Sequence, residues 1–171
     1  MSMSDRVSPG NALFRLVMLL IGALLALAIL VVGFYEGRKA YWDWKTAQLC
    51  EAEGGVIINE RIRILPEQQA ALPGAGGRLA ISPKSLAAPN SPAFFISQET
   101  TIRDKLPRIV RMDHMVIRRA DGKAVGRITR YIRIGGDFPT GIAHDSHFMC
   151  PDSEVINERQ SEFFQIEGAS R

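Results

Sequence analysis

The sequence is poor in the residues that mark several classes of small protein. Its 171 residues include only two cysteines, so a disulfide-dense scaffold is excluded. Its 15 glycines are too few for a collagen-like chain, and an apolar content of 46% is too high for a wholly disordered one. It contains neither a Cys-x-x-Cys motif nor a Gly-x-Ser-x-Gly elbow, the signatures of thiol redox proteins and of many serine hydrolases. A chain of this length is expected to hold one domain.

One long apolar run explains a mean hydropathy of +0.01, a value that suits neither a soluble domain nor a multi-span membrane protein. Residues 16–35 are all uncharged, and as a helix they would extend about 30 Å, the thickness of a bilayer's hydrocarbon core. The run is too long for a cleavable signal peptide, and no cysteine follows it at a lipidation position. The sequence therefore predicts one transmembrane helix, an uncleaved signal anchor that contacts the lipid bilayer.

The charges that flank the apolar run do not decide its orientation, because both sides carry Lys or Arg. A short segment before the run and two cysteines after it favour a cytoplasmic N-terminus and an external domain. We therefore expect a bacterial inner-membrane protein whose C-terminal domain lies in the periplasm. The predicted divisions are a cytoplasmic tail (1–15), the transmembrane helix (16–35), a helical stalk (36–53), a periplasmic antiparallel sheet domain (54–151) and an acidic C-terminal tail (152–171).

The segment after the apolar run contains signals for a helix, a strand and a loop in turn. No proline interrupts residues 36–53, and the two glycines that follow would end a helix there. Apolar residues alternate with polar ones between 56 and 64, which predicts one strand that Pro66 ends. Prolines and a Gly-rich run make residues 66–92 a long flexible surface loop. The predicted fold class is α+β, with an N-terminal transmembrane helix, an antiparallel sheet and a short C-terminal helix or tail.

The clearest local signal is a β-hairpin between residues 109 and 134. Asp121-Gly122 near its centre suits a two-residue turn. With that turn Asp113 would lie opposite Arg130, and we expect the two to form a structural ion pair among apolar neighbours. The predicted cross-strand partners are Ile109 with Ile134, Arg111 with Ile132, Asp113 with Arg130, and Met115 with Ile128.

Charge is divided unevenly between this hairpin and the C-terminal end. Residues 103–133 hold ten Lys/Arg against three Asp, a net charge of +7, while residues 134–171 hold two Arg against seven Asp/Glu, a net charge of −5. We expect the acidic end to fold against or near the basic hairpin. If the basic face is exposed instead, it could bind anionic lipid or an acidic glycan, whereas nucleic acid is not expected outside the cytoplasm. The arginines of that face are Arg118, Arg127 and Arg133.

Two groups of residues could carry chemistry. Cys50 and Cys150, the only cysteines, predict a disulfide that would stabilise the fold by about 4 to 5 kcal/mol in the chain-entropy model. His144, Asp145 and His147 could hold a metal ion, which would make the protein a small metal-dependent or hydrolytic periplasmic enzyme. Three-residue spacing on a loop does not aim both imidazoles at one point. The sequence therefore favours a non-catalytic binding or assembly module with an envelope protein as partner, and no cofactor is expected.

A series of short landmarks follows a set order along the chain: Cys50, Gly54-Gly55 and a strand, Asp121-Gly122-Lys123, the segment 133–139, Ser146, and Cys150-Pro151. This order resembles a set of small proteobacterial cell-envelope proteins, which have a signal sequence or an N-terminal anchor and no assigned activity. The resemblance covers roughly residues 49–151. It implies an exported domain and carries no implication about a reaction or a ligand.

Overall fold

The computed structural model describes residues 9–69, 72, 79–137 and 145–167, with side chains from residue 13 onward. The predicted α+β class is confirmed, because one long apolar N-terminal helix precedes a small antiparallel sheet and a short C-terminal helix. In chain order the elements are α1 (Pro9–Glu53), β1 (Gly55–Ile58), β2 (Ile62–Ile64), α2 (Pro66–Gln69), β3 (Ala93–Arg103), β4 (Arg108–Arg118), β5 (Ala124–Ile134), β6 (His147–Cys150), α3 (Ser153–Gln160) and β7 (Phe164–Ile166).

Helix α1 is continuous over 45 residues and includes both the apolar run and the predicted stalk. It is long and apolar enough to cross a membrane, and its most apolar window has no residue buried against the rest of the chain. The helix ends at Glu53, directly before the two glycines that predict its end. The Gly54 N–H donates to the carbonyl of Cys50 at 2.7 Å, and Gly55 has φ of 112°, a backbone conformation that favours glycine.

The main sheet has the strand order β1-β5-β4-β3, and β6 pairs with β5 beyond the end of β1. A second, two-stranded sheet joins β2 to β7 in parallel. The prediction of one strand over 56–64 is therefore wrong, since the chain leaves the main sheet after Ile58. The N–H groups of Asn59 and Glu60 both donate to the carbonyl of Val125, at 2.9 and 3.1 Å, and this turns the chain away from the ladder.

The predicted β4–β5 hairpin is present, but its register differs by one residue from the prediction. The Arg118 N–H donates to the carbonyl of Lys123, so four residues form the loop instead of two. This longer loop alone would shift the pairing by two residues. A bulge at Val125, between the Val116 and Ile117 pairings, shifts it back by one. Side chains alternate between the two faces of a sheet. A net shift of one residue therefore places each predicted β5 partner on the opposite face from the β4 residue it was expected to contact.

The register change removes the predicted ion pair between Asp113 and Arg130. Asp113 lies opposite Thr129, whose hydroxyl donates to its carboxylate at 2.6 Å. The cations near Asp113 are Arg111, at 2.8 Å on the same strand, and Arg127, at 3.8 Å on β5. Arg130 points to the opposite face of the sheet, so that prediction is wrong.

The two faces of the main sheet are covered by different parts of the chain. One face, here called the helix face, includes Arg111, Thr129, Tyr131 and Arg133, and the C-terminal half of α1 packs on it. The opposite face, here called the core face, includes Val116 and Ile128 and packs against the second sheet, α3 and parts of the 66–92 segment. The buried residues of this core are Val56, Ile62, Ile64, Leu72, Leu79, Ile81, Ala93, Val116, Val125, Ile128, Ile156, Phe163 and Phe164.

The segment predicted to be a surface loop and the C-terminal segment both contribute to this core. Leu72, Leu79 and Ile81 are buried, so the predicted surface loop over 66–92 is wrong for this described part. The acidic C-terminal segment supplies Ile156 and Phe163. Gly126 allows the close packing, because a Cβ there would lie 2.5 Å from the Phe163 ring. The C-terminal segment is thus an integral part of the domain.

Helix α1 lies antiparallel to β5. Residues further along α1 contact residues that come earlier in the β5 segment: Lys39 contacts Asp137, and Glu53 contacts Tyr131. The pairing continues into β1, where Gly55 lies opposite Thr129. The β4–β5 loop is therefore at the end of the sheet farthest from the apolar run of α1.

Candidate functional site

Two charged side chains of the helix face, Arg111 and Arg133, contact carboxylates of α1. The more enclosed is Arg133, which is 1% exposed. Its Nε lies 2.5 Å from Oδ1 of Asp43, and its Nη1 donates to the carbonyl of Gly135 and to the hydroxyl of Ser146. A guanidinium stays charged at ordinary pH, so its burial requires a counter-ion and acceptors for its N–H groups. Asp43 of α1 supplies that counter-ion.

A second connection joins the end of α1 to the centre of the sheet. Glu53 accepts from Arg111 at 2.7 Å and from the hydroxyl of Tyr131 at 3.1 Å. Burial, and then the hydrogen bond to Glu53, raise the pKa of Tyr131, so the phenol remains a donor at neutral pH. Burial alone would raise the pKa of Asp113, but hydrogen bonds from Thr129 and Arg111 outweigh it and lower that pKa. The Asp113 carboxylate is thus held ionised.

A third connection lies nearest the apolar run of α1. Lys39 Nζ is 3.1 Å from Asp137, and the Ser146 N–H donates to the same carboxylate at 2.6 Å. Burial would raise the pKa of Asp137, yet hydrogen bonds from Ser146 and Lys39 together lower it to about 2. We call these three connections, formed by Lys39, Asp43, Glu53, Arg111, Tyr131, Arg133, Asp137 and Ser146, the helix–sheet junction.

The predicted disulfide closes the same junction covalently. Cys50 of α1 is bonded to Cys150 of β6, across 100 residues of sequence. At the opposite edge of the sheet, the guanidinium of Arg103 on β3 stacks over the ring of Trp42 of α1, 4.3 Å from the ring centroid. The stalk part of α1 is thus fixed to the sheet by ion pairs, a cation–π contact and one covalent bond.

A separate charged cluster surrounds the β4–β5 loop. Arg118 contacts Glu60 at 2.5 Å and Asp121 at 2.6 Å, and Lys123 contacts Glu60 at 2.6 Å. Hydrogen bonds from the Arg118 side chain and then the Lys123 backbone lower the pKa of Asp121 to about 2. Arg118 and Lys123, which flank the loop, are therefore paired with carboxylates of the same domain.

The three arginines predicted to form one anionic binding face do not lie together. Arg133 is buried in the helix–sheet junction, and Arg118 belongs to the cluster at the β4–β5 loop. Arg127 is the most exposed of the three, with 42% of its side chain accessible. Their described carboxylate partners belong to α1, β4, the β4–β5 loop and the turn after β1. The acidic end does fold against the hairpin, since the Phe163 ring lies against Gly126 of β5, but the described ion pairs of these three arginines are not made with it.

The predicted metal-binding residues are described only in part. His144 lies outside the described residues, and Asp145 and His147 are exposed. Within the described ranges, no group of three His, Cys, Asp or Glu side chains is arranged to hold a metal ion. Nothing in the described part of the chain brings Asp145 and His147 together as ligands.

The sequence reasoning missed a row of exposed side chains on the helix face. Ile96, Met115, Arg127 and Ile57 lie opposite one another in consecutive strands β3, β4, β5 and β1. The three apolar members are each 47% exposed, because α1 ends before it reaches this part of the face. We call these four residues the distal row. The sequence of β3 has no apolar–polar alternation that could have revealed it, since four apolar residues, 93–96, are followed by five polar ones.

Replacing Asp43 with alanine should weaken the domain strongly, because it leaves the Arg133 guanidinium buried without its counter-ion. We expect a loss of about 3 kcal/mol in the free energy of unfolding, the lower end of the range for breaking a buried pair, since Asp43 itself is partly exposed. Denaturant unfolding of the full chain in lipid nanodiscs measures the loss. The exposed Glu51→Ala variant on the same helix is the control, and an equal effect in both variants would contradict the role of Asp43.

Acid should weaken the junction through Asp137. Because its pKa is lowered in the folded state, its contribution is complete above the ordinary aspartate pKa of about 4 and is lost as the pH falls through about 2. Unfolding midpoints measured from pH 5 to pH 2 should fall more steeply for the wild type than for Asp137→Asn. The exposed Asp104→Asn variant should follow the wild type, and parallel curves for all three proteins would rule out this contribution.

Comparison with known proteins assigns no function to this chain, so the functional conclusion depends on the geometry of the described residues. No protein-family model matches the chain, and no curated protein or solved structure matches it. The resemblance to small proteobacterial envelope proteins therefore stays a prediction. The charged groups of the helix–sheet junction and of the β4–β5 loop cluster pair with one another, while the distal row leaves three apolar side chains about half exposed.

Proposed function

We propose that this chain is a single-pass, membrane-anchored envelope protein whose outer domain is a non-catalytic binding or assembly module. The proposal places residues 16–35 in the lipid bilayer, because this part of α1 is apolar and unburied. The junction connects that anchor directly to the sheet through Lys39, Asp43 and Glu53. The domain is thereby presented in one orientation above the membrane.

The proposed location is the periplasmic side of a bacterial inner membrane, with the N-terminus in the cytoplasm. The Cys50–Cys150 bond supports an oxidising compartment, because disulfides persist in the periplasm and are rare in the cytosol of most bacteria. The bond also joins the stalk to the sheet, so its reduction would loosen the presentation of the domain.

The distal row is the observation that carries the binding role. Three half-exposed apolar side chains and one arginine form a continuous strip across four strands. Exposed apolar side chains grouped on one face mark protein-binding surfaces, and Met and Arg are enriched at such interfaces. Helix α1 shows what fits this face, because it packs there and places Glu53 on Arg111. The partner proposed for the distal row is an envelope protein segment with apolar residues and a carboxylate that contacts Arg127.

A photo-crosslinking experiment in intact membranes tests this role. The full chain carries benzoylphenylalanine at Met115, and a discrete adduct with another envelope protein is expected. Adding Arg127→Glu should lower the adduct yield by about tenfold or more, because it sets like charges against each other at the contact. The matched change Arg63→Glu, at an exposed position of β2 in the second sheet, should leave the yield unchanged.

Three outcomes would contradict the proposal: no adduct, an adduct insensitive to Arg127→Glu, or an adduct formed only between two copies of this chain. The same membranes test the location. A maleimide reagent should label neither cysteine until a reductant is added, since both are bonded. Labelling before reduction in native membranes would exclude the oxidising compartment.

A further inference from the structure

The turn between β3 and β4, residues 104–107, is held against the part of α1 that adjoins the apolar run. The guanidinium of Arg38 donates to the carbonyl of Leu106. Pro107 is buried, and the Leu106 side chain approaches Gly135, where an added Cβ would meet it at 3.1 Å. The backbone of this turn is therefore fixed relative to the helix.

The contact with Arg38 sets the height of the turn relative to a bilayer. Arg38 follows Tyr35, the end of the apolar run, by three residues, which is a rise of about 4.5 Å along a helix. Helical side chains lean toward the N-terminus, so Arg38 reaches back over the preceding turn. The headgroup layer on each side of a bilayer is about 5 to 7 Å thick. Leu106 thus lies within the headgroup layer if residues 16–35 span the membrane.

The exposed side chains of this turn suit that layer. Leu106 is 61% exposed although its backbone is held in place, and Ile102 at the end of β3 is 48% exposed. Lys105 between them is also exposed. Apolar side chains that enter the acyl boundary beside a lysine at the phosphates are typical of interfacial membrane contacts.

We propose that the β3–β4 turn is a second membrane contact, in which Leu106 enters the boundary between headgroups and acyl chains while Lys105 stays among the phosphates. The inference rests on the proposed membrane anchor. Its partner is the lipid surface around α1. Two contact points, the helix and the turn, fix how the domain is rotated about the helix axis and so which way the distal row faces.

Three exposed leucines allow a matched crosslinking test. Benzoylphenylalanine is placed singly at Leu30 in the apolar run, at Leu106 in the turn, and at Leu86, with exposed fractions of 70%, 61% and 78%. The Leu86 N–H donates to the carbonyl of Pro83, which pairs with Phe95 of β3. Leu86 is therefore near the β4–β5 loop, at the end of the sheet farthest from the apolar run of α1. The full chain is reconstituted into phosphatidylcholine–phosphatidylglycerol vesicles that contain a fluorescent phospholipid, and lipid adducts are measured after irradiation.

Lipid adducts are expected at Leu30 and Leu106, with the yield at Leu106 about tenfold above that at Leu86, as for a side chain resident in the interface. If Leu30 forms a lipid adduct but the adduct yield at Leu106 is no higher than at Leu86, the second contact is wrong and the anchor still holds. Absence of an adduct at Leu30 would overturn the anchor itself. Equal, high yields at Leu86 and Leu106 would also overturn the inference, because the domain would then lie flat on the membrane. In each variant, cysteines that do not react with maleimide before reduction show that the Cys50–Cys150 bond, and so the fold, is retained.

Discussion

The need of one buried guanidinium for a counter-ion determines how the molecule is assembled. Arg133 is enclosed between α1 and the sheet, and Asp43 of α1 is the carboxylate it contacts there. A guanidinium buried without its partner costs several kcal/mol, so the sheet can pack on α1 in this way only where the helix places a carboxylate against Arg133. Lys39 with Asp137 and Glu53 with Arg111 then align the helix along β5. The position of the distal row and of the β3–β4 turn follows from that alignment.

Features specified by local sequence were predicted well. The end of α1 follows from two consecutive glycines, and the Cys50–Cys150 bond follows from the presence of only two cysteines. The β4–β5 hairpin was found from its two β-rich runs, but its register depended on a four-residue loop and a bulge at Val125. A bulge is stabilised by contacts from elsewhere, here the N–H groups of Asn59 and Glu60, so no local pattern predicts it.

Features that depend on distant residues were not predicted. The composition indicated a basic hairpin and an acidic end, yet the carboxylates that balance the hairpin include Asp43 and Glu53, from far earlier in the chain. Net charge of a segment does not specify which oppositely charged segment packs on it, since apolar packing decides the neighbours. The distal row was missed for the same reason. Its exposure depends on where α1 ends over the sheet, which is a property of the assembled fold.

The central claim is that α1 and the sheet form one rigid unit. A distance measurement between spin labels at Leu30 and Ala120, carried by unnatural amino acids in the full chain in nanodiscs, tests it most directly. The rise per residue of helix and strand predicts one narrow distribution of label-to-label distances, centred at about 50 Å. A broad distribution, or several populations at shorter distances, would show that the domain pivots on its stalk and would contradict the account.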